Sequence, residues 1–403
     1  MAASPPATSP PRLLLVSTQP WNFGARLAYA LRRAGCHVEG ASPPGALMAR
    51  SSAPAVWHRL RQWRLEQDLA AAIARARPDR VVPCDDRSAA LIAGLHGAPG
   101  LRPLVETSLG DPAAYPVAGH KSAQMALAAR MGLPVPSTLS LPNRAALDTA
   151  LASGLLPRVL KTDGSWGGAG VIVLRDRAEA GPAWDRATAR PGLLSTAKLA
   201  AWERSIRPFF ERRRWRPGAP DLQDFVPGRP ANRAVLVERG QVIAGLSVEV
   251  LHTISPTGPA SVVRVIDHPD MTATAAAMAE RLGLSGFLGF DFVLEEQGGR
   301  ALMLEMNPRA TPICHLAPEP GGGLASAFFA HLAGRPVAQT LPQPGETIAL
   351  FPGEWLRDPE SCYLDGRHDV PWHDPPLLRS YLDDAAAAER FARLRARLRG
   401  RRA

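Results

Sequence analysis

The chain is 403 residues long, 46% hydrophobic and 21% charged, with a net charge of +10. That length implies two or three compact units, and that composition is globular rather than disordered. No run approaches the ~18–20 consecutive apolar residues of a membrane span, the N-terminus lacks a signal peptide's basic and apolar regions, and the four scattered cysteines form no CxxC pair for zinc or redox work. Reduced thiols in a cytoplasmic protein are the expectation.

After a disordered, Pro-rich tail at 1–11, RLLLV (12–16) reads as a short buried strand, STQPWNFG as a loop, ARLAYALRRAG as a helix and HVEGAS as a second strand. LEQDLAAAIARARP is a helix closed by Pro78, and DRVVPCDD is a strand ending in Asp85 and Asp86. This alternation predicts an open parallel α/β domain over 12–118, with ligands beyond the carboxyl ends of its strands. The loop 17–24 and both aspartates fall at such ends. Each aspartate reads first as a helix cap and second as a substrate contact.

From Gly119 a second unit begins. HKSAQMALAARMG is helical, 158–174 is a hairpin around a Gly-rich turn, and 195–216 is basic and helical. LQDFVPG and RAVLVERGQVIAGLSVEVL give further strands, TATAAAMAERLG a helix, and FLGFDFVLEEQGGRALMLEMN a second hairpin. The unit is expected over 119–345, with a smaller flap at about 155–225. The extension 346–403 is rich in Pro and Trp and ends in a basic helix; it reads as a packed lid or a dimer contact, which leaves a homodimer open. Much of the net charge sits in ERRRWR (211–216) and RFARLRARLRGRR (390–402). With 6% aromatics and no base-reading module, these are solvated faces rather than a nucleic-acid surface.

The hairpin 286–309 carries the clearest chemistry. If its strands run in simple register about Gly298, Glu296 pairs with Arg300 and Asp291 faces Glu305. Alternation then puts Phe290, Phe292, Leu294, Leu302, Leu304 and Met306 on a core face, and Asp291, Glu305 and Asn307 on the other. Facing carboxylates repel. Magnesium reverses that sign, since it takes hard oxygen ligands, and the Asn307 amide oxygen fits the same set. An edge with solvated acids is the competing reading.

In VLKTDGSWGGAGVIVL, Gly164, Gly167, Gly168 and Gly170 would let backbone N–H groups approach phosphates. Lys161 precedes the glycines and β-formers follow them, so neither a P-loop nor a dinucleotide fingerprint is present. What remains is a glycine flap with a lysine at its base, or an ordinary turn. Of the 47 basic residues, 44 are arginine and three are lysine, Lys121, Lys161 and Lys198. A surviving lysine suits a pocket that needs a compact ammonium.

HKSAQMALAARMGLPVPST, PRVLKTDGSWGGAGVIVL, LQDFVPG, GFDFVLEE and LEMNPRATP, in this order, resemble the ATP-grasp superfamily, particularly its carboxylate–amine ligase branch. The resemblance covers about 119–335 well and the preceding α/β domain loosely. It implies an α/β chain, α+β in its central part, with nucleotide between two α+β subdomains. It places Lys121 near the α-phosphate, Lys161 as the second phosphate lysine, and the loop 164–170, Ser165 included, over the β- and γ-phosphates. Gln223, Asp224, Phe225 and Val226 match the linker beside adenine, although an acid is common where Gln223 stands. Asp291, Glu305 and Asn307 match the Mg2+ (or Mn2+) ligands, and Arg309 the residue that stabilises the transferring phosphoryl group. Arg264 is a candidate clamp for an acceptor carboxylate. The activity implied is C–N bond formation from small carboxylate and amine substrates through an acylphosphate. A nucleotide-binding regulatory or assembly protein without turnover is the alternative. Lys198 and His315 read as structural.

Overall fold

The computed structural model describes residues 9–19, 23–162, 170–203, 206–215, 218–255, 258–337 and 341–383. Residues Gly164, Ser165, Gly167 and Gly168, most of the N-terminal tail and the basic C-terminal stretch expected to be helical lie outside the described residues.

The chain opens with a parallel sheet of order β3-β2-β1-β4, built from β1 (Arg12–Val16), β2 (His37–Ser42), β3 (Trp57–Arg59) and β4 (Arg80–Pro83). The short β3 is not apparent in the sequence pattern. Strand β1 is apolar from Leu13 to Val16 because both its faces are covered there. Leu13 and Leu15 pack with α1 (Phe23–Ala34), while Leu14 and Val16 join the core under α2 (Leu65–Ala76), α3 (Asp86–Gly94) and α4 (Arg102–Leu109). Asp85 caps α3 in a reciprocal capping box with Ser88. It also accepts from the Thr18 amide at 2.6 Å and the Thr18 hydroxyl at 2.8 Å, so this carboxylate fixes the loop after β1.

The short α5 (Tyr115–Ala118) and α6 (Lys121–Arg130) lead into a four-stranded sheet of order β5-β8-β6-β7. Its strands are β5 (Thr138–Ser140), β6 (Arg158–Lys161), β7 (Val171–Leu174) and β8 (Asp221–Asp224). The expected Gly-rich hairpin is β6–β7, with Lys161 paired to Val171. Helices α7 (Arg144–Ser153) and α8 (Ala180–Thr188) cover one face, burying Leu147, Leu151, Leu160, Leu174 and Leu222. Then come α9 (Leu193–Glu203), where Lys198 is exposed, and α10 (Arg207–Arg214).

A seven-stranded sheet of order β13-β12-β9-β10-β11-β14-β15 forms the rest. Its members are β9 (Gly228–Glu238), β10 (Gln241–Thr253), β11 (Ala260–Ile266), β12 (Gly286–Glu295), β13 (Ala301–Asn307), β14 (Thr347–Ala349) and β15 (Arg367–His368). On one face Leu236, Leu246, Val263 and Phe287 meet Leu27 and Leu31 of α1 and Phe328 of α12 (Gly323–Leu332). On the other, Phe290, Phe292, Met303 and Met306 meet Met125 of α6 and Met271 and Met278 of α11 (Pro269–Leu282). The sheet does not stop at residue 345. Strand β14 pairs with β11 and β15 with β14, so the extension completes the sheet before α13 (Gly353–Arg357) and the later turns pack on it. Among the described residues no helix is long and apolar enough to cross a membrane.

The β12–β13 hairpin departs from simple register. Asp291 does face Glu305, but Phe292 pairs with Met303 instead of Leu304, and Glu295 rather than Glu296 bonds to Arg300. One extra residue on β13 makes a β-bulge at Leu304. Met303 and Ala301 therefore take the core positions expected of Leu304 and Leu302, and Leu304 turns to a cavity.

Phe287 is 2% exposed and meets the Phe328 ring edge-on at 5.2 Å, where the N-terminal domain and the large sheet share one core. Phe287→Ala should cost about 3–5 kcal/mol in chemical denaturation.

Candidate functional site

A cavity of about 460 Å3 lies between the four-stranded sheet and the large sheet. Val159, Val171 and Val173 on one side and Val250 and Val293 on the other give it apolar walls. Thr138, Asp224, Phe225 and Val226 line it, as does Gly170 at the end of the glycine turn. Gln223 is 1% exposed, and its amide donates to the Thr138 hydroxyl at 3.0 Å. That bond joins β8 to β5 at the edge of the cavity.

The charged groups gather around the β12–β13 pair. Lys121, the first residue of α6, lies 2.7 Å from Glu305 Oε2. Asn232, opposite Asp291 on β9, donates to Asp291 Oδ1 at 2.6 Å. Asn307 directs its amide nitrogen toward Asp291 Oδ2 and Glu305 Oε1, both at 3.4 Å. Burial and the facing Glu305 push the Asp291 carboxyl up to about 7. Burial acts on Glu305 in the same sense, yet Lys121 and then Asp291 and Lys161 outweigh it and hold Glu305 below the usual range. Burial lowers the Lys161 ammonium, opposed by Glu305, Asp291 and Asp221. Asp221 stands across from Lys161 in the β6–β8 register.

Among the described residues no group of three His, Cys, Asp or Glu is arranged to hold a metal. The candidate set is two carboxylates and an amide, which would leave most of a magnesium sphere to ligand oxygens and water. The donor chemistry fits a hard cation: two acids share one excess negative charge, and an ammonium already leans on one of them. Asn307 is turned with its nitrogen inward, so ligation through its oxygen requires the amide to rotate.

Arg309 follows on the loop beyond β13. It holds Asp86 through Nε at 2.8 Å and Nη2 at 3.3 Å, Asn307 Oδ1 through Nη2 at 3.0 Å, and the Ala310 carbonyl through Nη1 at 3.1 Å. Thr311 packs on Gly289, where a Cβ would fall inside contact distance of its methyl group. That close approach seats the loop against β12.

Arg264, the clamp candidate from the sequence, stands elsewhere, as do His315 and Lys198, which read as structural. Asn232, on the Asp291 face, pairs with Val248; the next residue, Glu249, faces the other way and pairs with Arg264. Arg264 is therefore on the face opposite Asp291, bound to Glu249 Oε1 at 3.2 Å. His315 lies 2.9 Å from Asp369, which also takes Arg26 at 3.0 Å; burial and then Arg26 lower its pKa, and it ties the extension to α1. Lys198 is on the exposed face of α9. Sequence reasoning missed Asn232 and Asp221. Both are short polar residues in strands, recognisable only once the partner strand is known.

No protein-family model and no curated protein matches the sequence. The structure resembles the biotin carboxylase domain of Hydrogenobacter thermophilus 2-oxoglutarate carboxylase, solved as a dimer with MgADP, ADP and bicarbonate (TM-score 0.58, 14% identity, 82% of this chain and 71% of that one). It also resembles an N5-carboxyaminoimidazole synthase from Aspergillus clavatus holding ADP and 5-aminoimidazole ribonucleotide (0.58, 14%, 84% and 81%). The N5-carboxyaminoimidazole ribonucleotide synthetase of Thermus thermophilus is a third (0.55, 19%, 83% and 81%). At such identities the likeness establishes the fold, which is the ATP-grasp fold.

Two outcomes follow from the site's electrostatics and packing. Asp291 ionises near 3.8 when unfolded and about 7 when folded, so its contribution is present below pH 4 and lost as pH rises to 7. In chelator-treated protein, Asp291→Asn should gain stability over the parent progressively across that window, measured by denaturation at pH 4.5 and pH 8. Gly289→Ala should cost about 1–3 kcal/mol by forcing Thr311 outward.

Proposed function

We propose that this chain is an ATP- and Mg2+-dependent ligase that activates a carboxylate and joins it to an amine. The observation that carries this is a convergence. Two of only three lysines and two facing carboxylates meet at one cavity between the two sheets, and the Asn307–Arg309 pair adjoins those carboxylates through the Asn307 amide. The solved neighbours hold ADP with bicarbonate in one case and ADP with an amino-imidazole ribonucleotide in another.

In this reading the apolar walls take the base, with Asp224, Phe225 and Val226 beside it. Lys121 and Lys161 neutralise phosphate oxygens. Asp291, Glu305 and Asn307 would hold Mg2+, which supplies charge neutralisation at the β- and γ-phosphates. A substrate carboxylate oxygen bonds to the γ-phosphorus as the bond from that phosphorus to the β-bridging oxygen breaks, and ADP leaves. The amine nitrogen then bonds to the acyl carbon, phosphate departs with the C–O electron pair, and the nitrogen loses a proton. Arg309 faces the oxygens on which charge builds. Positioning and charge complementarity suffice for both steps, with no protein nucleophile. With a cation held by Glu305, Lys121 would be able to turn to phosphate, so that one ammonium would serve the acid in the absence of ligand and phosphate in its presence.

The test is Mg2+-dependent release of ADP from ATP across a panel of small acids and amines. Glu305→Ala should lower the rate at least about 100-fold, and Lys161→Met should weaken MgADP binding. If MgADP binds but no acid–amine pair ever releases ADP, the chain is a nucleotide-binding protein without turnover and the ligase reading fails.

A further inference from the structure

Arg309 has five N–H groups, and four of them are spoken for. Two go to Asp86, one to Asn307 and one to the Ala310 carbonyl, which leaves a single Nη1 hydrogen for an incoming ligand. A planar oxyanion held by two parallel bonds needs a whole edge of the guanidinium. The Nε–Nη2 edge is such a fork, and a carboxylate already fills it.

The two partners are not equally fixed. The Arg309 side chain is 15% exposed and is anchored on the other side by Asn307 and Ala310, whereas the Asp86 side chain is 57% exposed. Asp86 is the first residue of α3, and its neighbour Asp85 does the capping, so no helix-end bond depends on Asp86. It can swing into water at little cost; Arg309 cannot.

We propose that Asp86 is a displaceable occupant of a carboxylate subsite on Arg309, and that the substrate to be activated enters by taking its place on the guanidinium fork. This rests on the ligase reading for the identity of the incoming group, and it adds which edge of Arg309 receives it and which residue sets its affinity. The pair also explains selectivity. A ligand that brings only one acceptor oxygen gains less than the two bonds it breaks, so Asp86 rejects chloride and simple carbonyls while a carboxylate exchanges like for like. Displacing Asp86 further returns its negative charge to solvent as the incoming acid arrives, which keeps the charge count at the guanidinium from rising.

The experiment uses acetate as probe, with MgADP present, and reads its dissociation constant by calorimetry or by the concentration dependence of Tm. Asp86→Ala should bind acetate about tenfold tighter than the parent, the ratio that corresponds to a displaced pair worth about 1.4 kcal/mol. MgADP affinity should stay unchanged. In the Asp86→Ala/Arg309→Ala double variant the gain should vanish. An unchanged or weaker acetate affinity in Asp86→Ala overturns the proposal, as does a gain that persists without Arg309, which marks a general charge effect. Acetate binding in neither protein, with MgADP bound to both, overturns it as well. Failure of MgADP to bind the parent protein would count against the ligase reading instead, and acetate exchange on Arg309 would still be measured in the nucleotide-free chain.

Discussion

Asp291 and Glu305 stand opposite each other on a strand pair, where like charges repel, and the side chains around them are arranged against that repulsion. Lys121 meets Glu305, Asn232 meets Asp291, and the Asn307 amide reaches both. None of these is a local accident of sequence, since they come from α6, β9 and β13. The bulge at Leu304 belongs to the same constraint. It lets Met303 and Met306 both reach the core while Glu305, between them, keeps its place opposite Asp291. A regular strand could not satisfy the apolar face and the acidic face together from this sequence.

Much of this was legible beforehand. Glycine at 298 and alternating apolar residues set Asp291 against Glu305, and that pairing stands because the bulge at Leu304 cancels a one-residue shift nearer the turn. The same reasoning misassigned Leu302 and Leu304, since nothing in a single strand marks where an extra residue is absorbed. Arg264 shows a different limit. Its strand β11 was not read from the sequence, and which face it presents depends on the strand order β12-β9-β10-β11, a property of the whole chain. The extension was opaque for a similar reason. Strands β14 and β15 are too short to show a period, and they exist because β11 offers an edge to pair with.

The N-terminal domain and the large sheet share a core through α1, Phe287 and Phe328, and their polar groups continue that union at Arg309 and Asp86. The four-stranded sheet has a separate core of its own. The walls of the cavity thus differ mechanically. One side is braced by two domains at once, and it carries Asp291 and Glu305, with Arg309 on the loop beyond them. The other brings Lys161, Asp221 and the apolar wall on a sheet whose packing does not depend on the rest.

The scarcity of lysine has a chemical consequence beyond phosphate binding. An acylphosphate is an electrophile, and the side-chain groups it would modify most readily are unprotonated amines. Among 47 basic residues, 44 are guanidinium groups too weakly nucleophilic to compete. Of the three amines, Lys121 is engaged with Glu305 and Lys161 sits in the cavity among acids, so only Lys198 stands on the open surface. A chain that generates activated acyl groups would, with this composition, expose few amines to its own activated intermediate.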